Sequence, residues 1–367
     1  MTALSRRQVL TGAATGIGAA LIAGCGSTDR LSPRASASKT APPPGAGAKG
    51  VAAAVAQPLR IVQSQAERAQ SFATVKRLDE HPLYEMTWWG QAPTVVGGTP
   101  SPASRSGDER PPFGCTLFAA FGDPRKPLIG RNFDWEPSPA LVVHARPAGA
   151  ARSLAVTDLT YYGLGPGKTG ALDDPARRAP LERAPSLPFD GINEHGLFIG
   201  LAADEGAAAT TTPGHSAVGG VGVQRLVLDR CRTVAQARTL MTSYNLDFDG
   251  GPALHYLIAD RSGAATVAEF SEGALRFHDR PAAQPWWVLE NFSLSTPRDQ
   301  WSSFSRWNGC QSRLAATRGK PGVPGALDLL HDVKQGHTQW SIVYDLATCE
   351  SWIYAGQRRD RVHQIAL

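Results

Sequence analysis

Runs of β-branched, aromatic and leucine-rich residues stand at both ends of the body of the chain, with helix-like periodicity between them. This order restricts the fold more than any other feature of the sequence. Strand-like runs occupy 113–121, 127–131 and 140–145, then 254–259, 265–270, 287–289, 340–345 and 351–355, most of them bounded by Gly, Asp or Pro. Asp260-Arg261-Ser262-Gly263 reads as a hairpin turn between two of them. Helical spacing recurs at 222–243, where Val223, Leu226, Val227, Val234 and Leu240 share a face, and at 302–317 and 325–334. Strands at the ends with helices between them predict an α+β fold whose sheets are covered by helices. No solenoid or propeller repeat interrupts this pattern.

The first 58 residues have a different composition. Ser5-Arg6-Arg7-Gln8-Val9-Leu10 precedes a Gly/Ala-rich apolar run that ends at Leu21-Ile22-Ala23-Gly24-Cys25. Paired arginines before a moderately apolar stretch read as a twin-arginine export signal, and the run is too short for a confident membrane span. Its end resembles a bacterial lipobox, with Cys25 as the lipid attachment point; the plainer alternative is a signal peptide with an incidental cysteine. Residues 1–25 are therefore expected to be a lipoprotein signal peptide. Residues 26–58, with Ala35-Ser36-Ala37-Ser38 and Pro42-Pro43-Pro44, are expected to be a low-complexity tether. The expected location is outside the cytoplasm, lipid-anchored to the outer face of the cytoplasmic membrane or periplasmic or at the cell surface. The formal net charge of +5 arises in residues 1–50, so the rest of the chain is neutral. A neutral body lacks the field that binds phosphates, which argues against a nucleic-acid partner.

The chemistry concentrates in Gly114-Cys115-Thr116-Leu117-Phe118 and in Gly130-Arg131-Asn132-Phe133-Asp134. An antiparallel hairpin would return Arg131 and Asp134 to the side of Cys115. A cation beside a thiol favours the nucleophilic thiolate, and a carboxylate holds an amine by charge-assisted hydrogen bonding. Read by residue type alone, a buried core cysteine and a plain surface ion pair are the competing explanations.

Five segments in one order resemble the N-terminal-nucleophile (Ntn) hydrolases of the choloylglycine hydrolase, penicillin acyltransferase and acid ceramidase superfamily. They are Cys115 with Arg131 and Asp134; Asp190-Gly191-Ile192-Asn193-Glu194-His195-Gly196-Leu197; Trp287-Val288-Leu289-Glu290-Asn291; Phe304-Ser305-Arg306; and the paired stretches 338–345 and 351–354. The resemblance implies a four-layer αββα sandwich and a linear-amide hydrolase acting on a small N-acyl amide. It implies cleavage of the Gly114–Cys115 bond, after which Cys115 carries both the attacking thiol and an α-amine of pKa about 7.7–8.0 that shuttles the proton. It further implies that Asp134 orients the amine, Arg131 polarises the thiol, Asn291 donates to the oxyanion, and Arg306 bounds the pocket and fixes the Asp. A second oxyanion donor is implied at the backbone of Ala202 or Ala203. Asn193 reads instead as a turn residue. Neither a cofactor nor a metal is implied.

Because 114 residues precede Cys115, the arrangement resembles the branches whose precursors cut themselves. Residues 59–114 are then a pro-segment that remains as a non-covalent small chain, 97–112 the approach to the scissile bond, and 115–367 the catalytic domain. The catalytic chain stays with the lipid anchor only if about 59–95 packs against it. Acyl transfer from the same acyl-Cys115, a non-catalytic binding module, and a Cys-His-Asp hydrolase with an internal Cys115 are the alternatives. Cys231, Cys310 and Cys349 show no C-x-x-C spacing, which disfavours a metal or redox site. Cys310–Cys349 is the first disulfide to test, against burial as free thiols. His331 and His337 make a poor zinc pair. Trp286, Trp287, Trp301 and Trp307 either line an apolar acyl pocket or pack in the core.

Overall fold

The computed structural model describes residues 63–92, 114–248 and 252–367. The twin-arginine motif, Cys25, the tether and the approach at 97–112 lie outside them. No helix among the described residues is long and apolar enough to cross a membrane.

Two large sheets form the frame. The first begins with β1 (Lys76–Asp79) and β2 (Leu83–Trp89). The second sheet takes β3 (Gly114–Ala120) and β4 (Leu128–Asp134). The chain returns to the first through β5 (Ala140–Arg146), β6 (Ser153–Asp158), β7 (Asp190–Asn193) and β8 (Leu197–Ala203). Short strands β9 (Ser216–Gly219) and β10 (Tyr244–Asp247) pair with each other in parallel. β11 (Leu254–Asp260), β12 (Ala265–Ser271) and β13 (Ala274–Asp279) complete the first sheet. β14 (Trp286–Leu289), β15 (Thr338–Asp345), β16 (Glu350–Ala355) and β17 (His363–Ala366) complete the second. The nine-stranded sheet has the order β1-β2-β5-β6-β7-β8-β11-β12-β13, and the six-stranded sheet β14-β3-β4-β15-β16-β17.

Among the described residues five helices cover these sheets: α1 (Gln65–Ala73), α2 (Gly222–Arg230), α3 (Val234–Met241), α4 (Ser305–Ala316) and α5 (Gly322–Asp332). α2 and α3 lie on the nine-stranded sheet, whereas α4 and α5 lie on the six-stranded one. The other two faces meet each other, β3 against β8 and β14 against β12. The result is the expected αββα sandwich. Strands buried on both faces read as continuous apolar runs rather than alternating ones, and β3, β4 and β8 are buried at every position. Gly200 lets the sheets approach: a Cβ there would come within 2.9 Å of Leu117 Cδ2 in the opposite layer.

The single helix expected at 222–243 is two. Cys231 is extended and Thr233 caps α3, its hydroxyl accepting the Gln236 N–H. Asp260 accepts the Val234 N–H, so the break is held from β11. All four described cysteines are free thiols. Cys310 belongs to the core beneath α4 and α5, and Cys349 to the core between the sheets. Opposite faces of the six-stranded sheet thus separate the two residues first considered as a disulfide.

Residues 63–92 are built into this frame. Ser64 and Glu67 form a reciprocal capping box that starts α1. α1 packs on β2, and β2 pairs in parallel with β5 along its whole length, Leu83 opposite Ala140 through Trp89 opposite Arg146. Tyr84, Met86 and Trp88 share a buried cluster with Leu141 and Val143 of β5.

Candidate active site

β3 and β4 form the hairpin expected from the sequence, with Gly114 opposite Asp134 and Cys115 opposite Phe133. β4 runs three residues beyond the expected end at Arg131, so Asp134 lies on the strand itself. Arg131 Nη2 donates to Cys115 Sγ at 3.7 Å. The guanidinium is fully buried, ion-paired with Asp190, and 5.0 Å from the ring centre of Phe133. Burial alone would disfavour its charge, but Asp190 and the adjacent thiol raise the Arg131 pKa above its ordinary value. Burial also pushes the Cys115 thiol up, the Arg131 charge pulling against it and the Asp134 carboxylate adding to it.

Asp134 accepts hydrogen bonds from Thr338 Oγ1 and, at 3.0 Å, from Gln335 Nε2. Arg306 Nη1 stands 3.6 Å from the same carboxylate. Burial raises the Asp134 pKa in spite of these partners. A Cβ at Gly114 would come within 2.0 Å of Gln335 Nε2, so a side chain there would push that amide off Asp134. The bond between Gly114 and Cys115 therefore runs directly beneath Asp134 and its amide partner.

Arg306, on the first turn of α4, donates to the Cys115 carbonyl at 2.6 Å and to Thr116 Oγ1 at 2.9 Å. It also reaches Asn291 Oδ1 at 3.1 Å and pairs with Glu290 at 2.9 Å. Glu290 in turn accepts the Trp307 N–H; burial raises its pKa against the pull of Arg306. Asn291 accepts the Cys115 N–H through Oδ1 and donates from Nδ2 to the Ala203 carbonyl at 2.8 Å. A carboxamide has two N–H donors, so one remains beyond the bond to Ala203. Ala203 lines the cleft beside Cys115, and Ala202 pairs with His255 one residue earlier in β8.

The structure thus brings Cys115, Arg131, Asp134, Asn291 and Arg306 around one peptide bond. Asn193 stands apart as a turn residue, binding the carbonyls of Leu228 and Cys231 and accepting the His195 and Leu197 N–H groups. Sequence reasoning passed over Asp190, Glu290, Gln335 and Thr338. Their signal was a deficit of charge: a buried arginine needs a carboxylate, and Asp190 and Glu290 both lay within the segments already singled out.

Cys115 and Asp134 open on a narrow cleft, about 460 Å³ when the open space outside its mouth is included. Phe133, Trp135, Tyr161, Phe189, Leu201 and Leu254 line it. The tryptophans first considered for this lining are elsewhere. Trp287 and Trp301 belong to the core between the sheets, Trp307 packs edge-on to Trp301, and Trp286 donates to Gln311.

A family model described as linear amide C–N hydrolases, choloylglycine hydrolase family, matches residues 115–328. No curated protein sequence matches the chain. Among solved structures, a mutant conjugated bile acid hydrolase from Clostridium perfringens is similar with a TM-score of 0.50 and 13% identity, over 69% of this chain and 92% of that one. Penicillin V acylase from Agrobacterium tumefaciens is similar with a TM-score of 0.48 and 14% identity, over 66% of this chain and 83% of that one. At such identities the likeness to the first speaks for a shared fold.

Proposed function

Because the chain belongs to the choloylglycine hydrolase family of linear amide C–N hydrolases, we propose that its nucleophile is Cys115, released as a chain-terminal residue by cleavage of the Gly114–Cys115 bond. The observation that carries this reading is the convergence of Arg131, Asp134, Asn291 and Arg306 on that bond at the floor of an apolar cleft. The family match begins at Cys115 itself, which agrees with it.

Cleavage gives the residue an α-amine where it had an amide. Asp134 lies across the strand pair to hold that amine, which takes the proton as sulfur attacks the substrate carbonyl. Arg131 stabilises developing thiolate charge. The spare N–H of Asn291, with a backbone donor at Ala202 or Ala203, receives the oxyanion. Collapse breaks the C–N bond, the amine of Cys115 protonates the leaving nitrogen, and a thioester remains on Sγ. Water adds to the thioester and regenerates the thiol; an amine acceptor in its place gives acyl transfer. The aromatic and aliphatic lining suits an apolar acyl group.

The segment before Cys115 stays as a small chain held by the β2–β5 ladder. In this reading it carries the tether, with Cys25 bearing the lipid on the outer face of the membrane after twin-arginine export. Intact mass of the purified protein tests the central step: the expected result is a chain that begins at Cys115, and Cys115→Ala should abolish both the cut and the hydrolysis of N-acyl amides. Active protein that keeps the Gly114–Cys115 bond would overturn the proposal.

A further inference from the structure

Beyond the cleft, at the ends of β8, β11 and β12, lies a second group of ionisable side chains that the amide chemistry leaves unused. Asp204 follows β8 directly, His255 is in β11 and Glu269 in β12, and all three are buried. Their ligand-capable atoms lie within 4.8 Å of one another. His255 Nδ1 is 3.7 Å from Asp204 Oδ2, and His278 of β13 brings Nε2 to 3.4 Å from Glu269 Oε1. Both separations exceed an ordinary hydrogen bond. The first is close to the roughly 3.4 Å between two ligands on a tetrahedral ion with bonds of about 2.1 Å.

The polar accounting points the same way. Asp204 Oδ2 is buried without a hydrogen-bond partner among the described residues, and the ring of His255, buried beside it, has only the Glu290 backbone to meet its two nitrogens, neither in ordinary hydrogen-bond geometry. Native interiors rarely leave such atoms unmatched. Among the described residues no lysine or arginine pairs with Asp204 or Glu269; Glu269 is met by the donors of residues 293–295, whereas Asp204 Oδ2 has none. Glu269 Oε2 accepts the Leu294 N–H and keeps a lone pair to offer. The half-buried ring of His278 gives the cluster an edge toward solvent.

We propose that Asp204, His255 and Glu269 form a three-ligand divalent-metal site of the zinc type, with the fourth position left to solvent. One imidazole nitrogen with two carboxylates fits a borderline ion and neutralises its charge; calcium and magnesium prefer all-oxygen sets. Glu269 also accepts hydrogen bonds from Ser293 and Ser295. A bound ion would therefore tie three strands to the loop that follows Asn291, without touching the reacting atoms. The site does not depend on cleavage at Cys115.

The test uses the full chain, stripped with a chelator, dialysed against zinc chloride and measured for metal content and melting temperature. The expected result is about one zinc per chain, with a rise in melting temperature on the order of 5 °C at a large excess of zinc over Kd. Asp204→Asn and His255→Gln should each lower zinc content at least about tenfold, whereas His331→Gln should not. Folded wild-type protein that takes up no zinc and melts unchanged overturns the proposal, whatever its processing state. Should a variant fail to fold, zinc-edge absorption on the loaded wild type decides: imidazole and oxygen ligation supports the site, thiolate ligation overturns it.

Discussion

Arg131 is a guanidinium with no access to water, between Asp190 and the rings of Phe133 and Trp340. Tyr344 donates its hydroxyl to the other oxygen of Asp190, so the carboxylate is fixed from two strands. Removing one partner of a buried pair strands the other, at about 3–5 kcal/mol. Asp190→Asn should accordingly lower the melting temperature by on the order of 10 °C, as calorimetry would read; a variant that melts with the wild type would refute this account of Arg131. Cys115, Arg131 and Asp134 were legible because they lie on adjacent strands of one hairpin, where local spacing fixes proximity. Asp190 and Thr338 were not, because their partners come from distant parts of the chain, and Glu290 was not, because an irregular loop rather than a hairpin returns Arg306 to it. Local pattern carries no information about which distant carboxylate meets a buried cation.

At the scale of elements, β2 joins the sheet through charge as well as backbone pairing. Glu85 meets His144 of β5 at 2.7 Å and Lys76 of β1 at 2.8 Å. His144 chiefly, with Lys76, holds the Glu85 carboxyl down to about 2 against the effect of burial. A depressed carboxylate stabilises the fold above its unfolded pKa, near 4.5, and loses that contribution as pH falls toward 2. The difference in unfolding free energy between wild type and Glu85→Gln, read from urea titrations, should therefore be largest above pH 4.5 and shrink below it, by about 1–3 kcal/mol in all. A difference that does not vary with pH would exclude this role. The hairpin of β3 and β4 and the closing pair β15–β16 were legible as apolar runs. β8 was not, because Gly200 interrupts a run buried on both faces. The break between α2 and α3 was hidden because its cause, Asp260, lies on another element.

For the molecule as a whole, the order of strand-like and helix-like segments was enough to give an α+β sandwich, and the resemblance supplied its four layers. The parallel pairing of β2 with β5 had no such signal, since a strand does not announce its neighbour in a sheet. Under the proposed cleavage the consequence is thermodynamic. Folding of the mature protein becomes bimolecular, so its melting temperature should rise with protein concentration, while that of Cys115→Ala should not. Concentration-independent melting of cleaved protein would mean that the sheet survives loss of the small chain.

β5 depends on β2 for the pairing of one side along seven residues. A gene fragment that starts at Cys115 would leave that side bare, and an open, apolar strand margin invites other chains to fill it. Soluble material is thus expected only when translation begins upstream of Gln65, or when the missing piece is supplied in trans as a peptide.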